Sequence, residues 1–158
     1  MAWLRGSSHS RTLQPDDSPS NPCLAGDVPG LGEARAAIEN ASLADAATID
    51  EVDAVRFTDA GVAAAGAALA SGVTGDALWA ATWIAASMGC LEPLEPLLAA
   101  DDPTIRALAA ASFVAAGRPE GGTALAALMG ETALLRGSEP PISVGEFATA
   151  TLERYAAR

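Results

Sequence analysis

The sequence predicts an all-α domain built from stacked antiparallel helix pairs. Two observations carry that expectation. Residues 77–88 and 105–116 are nearly all-apolar segments, each closed by a glycine, Gly89 and Gly117. A helix that is apolar on nearly every side has to be covered on nearly every side, so other helices must flank both. The second is the absence of any period-two alternation of the kind a half-buried strand would show.

The chain has 158 residues, enough for one domain and a tail. Half are hydrophobic, but only 4% are aromatic, because alanine supplies much of the apolar count. Alanine favours helix and lets helix axes approach closely, yet it buries little area. Such a core leans on its few large residues: Trp79, Trp83, Phe113, Phe147 and the leucines.

Residues 1–29 are rich in Ser, Pro, Asp and Gly and have no periodicity, which predicts a flexible leader before a helical domain over 30–158. Leu31, Ala34, Ala37, Ile38 and Ala41 fall at helical spacing and predict a helix near 31–42. Thr48 and Glu51 fit a capping box, giving a short helix over 49–55, although Val52, Val55 and Phe57 also suit an irregular apolar link. Thr58 caps a helix reaching about Ser71, with Phe57 and Val62 as a staple across the cap, while Gly61 and Gly66 weaken it. Thr74 caps the next helix, which Gly89 ends. A helix over 92–100 follows, with its first turn loosened by Pro93 and Pro96. Asp102 and Pro103 start another, running to Ala116. A shorter helix covers about 119–129, its start weakened by Gly121 and Gly122. Residues 130–141 form a loop, after at most one further helical turn. Ser143 and Glu146 make a second capping box, opening a last helix over 144–157 with Phe147, Ala148, Leu152 and Tyr155 on its buried side.

Gly89 and Gly117 lie 28 residues apart, and the same shift lays Leu97 on Leu125. Self-similarity at such a period marks stacked supersecondary units. Leu94-Glu-Pro-Leu-Leu98, Asp101-Asp-Pro-Thr-Ile-Arg106 and Ala107-Leu-Ala-Ala-Ala111 up to Gly117 resemble the bacterial HEAT-repeat family. There a leucine-rich second helix leads into an Asp-Pro cap, an Arg one turn in, and an Ala-rich first helix. The resemblance covers 74–130 and extends to 143–157. It implies a short right-handed α-solenoid of HEAT-like helix pairs acting as a protein–protein interaction or scaffold module. In the preceding unit Thr74-Gly-Asp-Ala-Leu78 replaces the Asp-Pro-x-x-Arg piece, so an Asp–Arg network between units is incomplete. Arg106 is then expected to be a local partner of Asp101 or Asp102.

Twenty acids against nine arginines, with no lysine, give a net charge of -11. That balance disfavours nucleic acid and anionic membranes as partners, because phosphate binding needs basic patches. A HEAT-like enzyme acting on DNA bases is disfavoured on the same ground. A protein partner with a basic surface remains, or the charge serves solubility alone. His9 is the only histidine and sits in the leader, so a nucleophile in the folded part lacks a histidine base. No clustered ligand set for a metal is present, and no cofactor motif is found. The chain is read as non-enzymatic. Two cysteines make no disulfide framework, and Cys90 reads as a small buried apolar residue. No secretory signal and no spanning apolar run are seen, which predicts a reducing, cytoplasmic setting.

The candidate contact residues are Glu92 and Glu95, three apart on one helix face, Asp101 and Asp102 at its end, and Trp79 as an aromatic anchor. The contact side is expected along the second helices, about 58–71, 91–100 and 119–129. Their acids would meet a partner's arginines or lysines. A second reading is an acidic accessory or inhibitory protein, comparable to small immunity proteins, that neutralises a basic enzyme.

Overall fold

The computed structural model describes residues 28–156. Among these the chain forms eight α-helices and one 3-10 segment: α1 (Leu31–Glu39), α2 (Ala46–Val55), α3 (Asp59–Ala70), α4 (Gly75–Ser87), α5 (Leu91–Leu94), the 3-10 segment (Glu95–Ala99), α6 (Pro103–Ala115), α7 (Pro119–Leu128) and α8 (Val144–Ala156). No strand occurs among the described residues; one isolated bridge joins Leu134 to Ser143. The expected all-α class is what the chain adopts. The expected leader lies largely outside the described residues, although Val28 already packs on the core.

Helix α6 divides that core in two. Ile105, Ala109 and Phe113, four residues apart in turn, face a cluster with Trp79, Ile84 and Leu94. Ala107 and Ala110 face the other cluster, with Leu125, Leu128, Leu135, Val144 and Ala148. Both sides are covered, as an all-round apolar helix requires. α6 packs against α4, α7, α8 and the 3-10 segment.

Three helix ends repeat one geometry. Cys90 N donates to Ala85 O at 2.9 Å, Arg118 N to Phe113 O at 2.9 Å, and Val73 N to Ala68 O at 3.3 Å. In each a glycine at positive φ (Gly89 69°, Gly117 76°, Gly72 79°) sits just before the donor. This closure satisfies carbonyls that the helix leaves open, and the left-handed position favours glycine. α4 and α6 are 13 residues each and end alike.

Helix starts agree less evenly with expectation. Asp102 accepts from Thr104 N at 2.9 Å ahead of Pro103, and Thr58 accepts from Gly61 N at 3.0 Å. Ser143 and Glu146 exchange both capping bonds, Ser143 N to Glu146 Oε2 at 2.7 Å and Glu146 N to Ser143 Oγ at 3.0 Å. α2 begins three residues earlier than the Thr48 signal suggests, because Asp45 takes the cap, accepting from Ala47 N at 3.1 Å. Thr48 instead accepts from Ser42 N, bracing the turn before the helix. Thr74 makes no capping bond. The 92–100 helix breaks in two: Pro96 has no N–H to give Glu92 O, and the chain tightens to 3-10 from Glu95 onward. Residues 130–141 contain no helical turn.

Gly121 is needed by packing rather than tolerated. A Cβ there would lie 2.5 Å from Val114 N and 2.6 Å from Ala110 O, so α7 crosses α6 backbone to side. A Cβ on Gly122 would meet nothing within 4 Å. Gly121→Ala should therefore destabilise by roughly 1–3 kcal/mol through forced separation of the helices. Gly122→Ala should be neutral or stabilising by up to about 1 kcal/mol, from helix propensity. Urea unfolding of both variants checks this, and equal effects would remove the close crossing.

The Ser143 amide and hydroxyl hold the Glu146 carboxyl below the usual glutamate range. A depressed folded value means that its capping contribution is present at neutral pH and is lost as pH falls through that value. Carboxyl carbon NMR should show Glu146 titrating below an unstructured glutamate, and Ser143→Ala, which removes the hydroxyl but keeps the amide, should raise it only part of the way.

Candidate functional site

The returning loop between α7 and α8 is tied to the helices by several hydrogen bonds and ion pairs. Its Arg136 uses both main chain and side chain. Arg136 N donates to Thr104 Oγ1 at 3.0 Å, and Trp79 Nε1 donates to Arg136 O at 3.0 Å. The guanidinium bridges two carboxylates, pairing with Asp102 and lying 3.5 Å from Asp76. Asp76 also accepts from Leu43 N at 2.9 Å. One residue thus links the α1–α2 turn, the starts of α4 and α6, and the loop itself. Gly137 follows at φ 84°, where a Cβ would fall 2.5 Å from Trp79 Cζ2, so the loop lies directly on the indole.

That arrangement places the candidate contact residues in two groups. Glu92, Glu95 and Asp101 are exposed and form no ion pair among the described residues. Asp102 is half-buried, engaged by the α6 cap and by Arg136. Trp79 is 4% exposed, its indole N–H already donated to Arg136. Arg106 does not pair with Asp101 or Asp102, correcting the local-partner expectation. Asp102 turns to Arg136 instead, and Arg106 Nε is buried without a hydrogen-bond partner among the described residues.

A second surface feature was not anticipated. Arg56 lies 4.3 Å from the ring centroids of both Phe57 and Trp83. Its Nε donates to Asp53 Oδ1 at 2.8 Å and its Nη1 to Ser87 Oγ at 3.3 Å, latching the end of α2 to the end of α4. Phe57 is 61% exposed, so it does not close over the α3 cap as a staple would require; it stands under the guanidinium instead. Met88, next after Ser87, is exposed as well. Trp83 stacks in turn on Trp79, with centroids 5.0 Å apart and planes tilted by 30°.

Cys90 is buried, as expected of a small apolar residue, but its sulfur is disulfide-bonded. Cys23 and His9 lie outside the described residues. Among the described residues no group of three or more His, Cys, Asp or Glu could hold a metal ion. No described helix is long and apolar enough to cross a membrane. No family profile, curated protein or solved structure matches this chain.

Thr104 is the acceptor on which the loop's main chain depends, and it is 2% exposed. Thr104→Val keeps the shape and removes the acceptor, leaving a part-buried N–H unpaired. The expected cost in urea unfolding is about 1–3 kcal/mol, with a change in Trp79 fluorescence as the loop lifts. A cost below about 0.5 kcal/mol, the level of an ordinary surface change, would remove this bond from the fold's supports.

Proposed function

We propose that the folded part is a protein–protein interaction module of the HEAT-repeat type, a short right-handed α-solenoid without catalytic chemistry of its own. The helix-pair reading draws support from α4 and α6, which match in length, end in the same glycine closure and sit 28 residues apart. The observation that carries the binding function is the Phe57–Arg56–Trp83 stack with Met88 beside it. An exposed phenylalanine and methionine beside a half-buried tryptophan and arginine have the composition of interface cores and hot spots. The unpaired acids Glu92, Glu95 and Asp101 set the sign of the partner, a protein with basic surface, by steering its approach.

The alternative is an acidic accessory or inhibitory protein that covers a basic enzyme; the unpaired acids favour it and the apolar stack suits either reading. The sequence predicts a cytoplasmic setting, but a disulfide at Cys90 argues for an oxidising one, because cytosolic thiol buffers keep such pairs reduced.

Affinity capture with the wild-type chain and with Phe57→Ala tests the module. Wild type should retain one stoichiometric partner set, and the variant should lose it without losing its fold. A single basic enzyme would favour the inhibitor, a multi-subunit assembly the scaffold. With that partner in hand, Glu92→Gln/Glu95→Gln should associate more slowly at low salt, and the gap should close as screening rises. Stability should change by under about 1 kcal/mol, since exposed charges contribute little to folding. Unchanged association at low salt would remove the acidic rim from the interface.

A further inference from the structure

Two adjoining cavities, of about 310 and 200 Å³, open between α2, α4 and the Arg136 loop. Both are lined by Ile49 and Trp79; Trp83 and Leu108 complete the apolar floor of the smaller one. Asp50 and Glu139 stand on the rim of the larger one, both exposed and without an ion pair among the described residues. The cleft thus asks for an apolar side chain next to a cation, in a space fit for one or two side chains. Through Trp83 it continues into the Phe57–Arg56 stack.

The chain carries a segment of that chemistry. Residues 1–14, MAWLRGSSHSRTLQ, contain Arg5 and Arg11 and no acid, whereas the other residues hold all twenty acids and the remaining seven arginines. Trp3-Leu4-Arg5 puts two large apolar side chains directly beside a cation. Reach is ample even when counted only back from Cys23, the other cysteine of the sequence: the chain from there to Leu4 can extend to about 60 Å at ~3.3 Å per residue. A domain of this size has a radius of gyration of only about 14 Å.

We propose that this cleft is the docking site of the chain's own N-terminal segment, with Trp3-Leu4 against its apolar floor and Arg5 between Asp50 and Glu139. Placing an acid-free segment on the acidic rim removes repulsion as well as adding attraction. Tethering keeps the effective concentration of the segment high, so modest contacts suffice. A partner segment of the same chemistry has to displace it, which makes the segment an internal competitor. The inference does not depend on any partner protein and stands apart from the module reading.

The test is the tryptophan indole region of a nitrogen–proton NMR spectrum of the full chain, its three signals assigned with single Trp→Phe variants. Trp3→Ala removes none of the side chains of the described core. Docking predicts that it shifts the Trp83 signal. Docking also predicts that Asp50→Arg/Glu139→Arg, two exposed positions, moves the Trp3 signal to that of an unstructured tryptophan. An unmoved Trp83 signal in Trp3→Ala overturns the proposal, and so does an unmoved Trp3 signal in the charge-reversed variant. Shifts that appear only with rising protein concentration also overturn it, since the segment would then occupy the cleft of a second copy.

Discussion

Arg136 is the point on which the fold closes. An alanine-rich core packs tightly but offers little apolar area to hold distant parts of the chain together. Two clusters on opposite sides of α6 therefore need a direct link, and the loop before α8 supplies it. Leu135 enters the second cluster while the next residue bonds Trp79 of the first, and Thr104, Asp76 and Asp102 at the starts of α6 and α4. The main-chain bonds fix the loop's position, and the guanidinium, about a third exposed, adds charge pairing that solvent partly screens. The two hydrogen bonds to buried partners outweigh the ion pairs.

That link also decides which residues are left for contact with other molecules. Asp102 and Trp79 are drawn inward by Arg136, so of the expected contact acids Glu92, Glu95 and Asp101 are left facing solvent, as Asp50 and Glu139 are around the cleft. The aromatic surface moves correspondingly to Trp83 and Phe57, which sandwich Arg56 at the join of α2 and α4. An arginine held between two rings and bonded along its edge is rigid before any partner arrives. Such preorganisation lowers the cost of ordering side chains on binding.

Local signals in the sequence were legible where the physics is local. The Asp102-Pro103 start, the Ser143–Glu146 box and the Gly89 and Gly117 ends each depend on residues within one turn, and each formed as expected. Thr48 misled because a closer competitor, Asp45, reached the free amides first. Gly61 and Gly121 read as weak points of their helices, but both are sites of close approach: a Cβ on Gly61 would lie 1.9 Å from Val55 O. Nothing local to Arg136 reveals its partners, which lie 32 to 60 residues away in sequence. A cluster built by a returning loop has no spacing rule, and a lone arginine between helices carries no signal of it. The bonded state of Cys90 was equally hidden, since burial suits a thiol and a disulfide alike.

The Arg136 main chain is locked as firmly as the helices it joins. Amide hydrogen exchange of the full chain measures this directly. Arg136 N–H should exchange as slowly as the amides of α6, while those of Thr132 and Leu134 in the same loop should exchange far faster. Exchange of Arg136 at the rate of its exposed loop neighbours would contradict it: the loop would then be a passive connection, and the two clusters would be held by α6 alone.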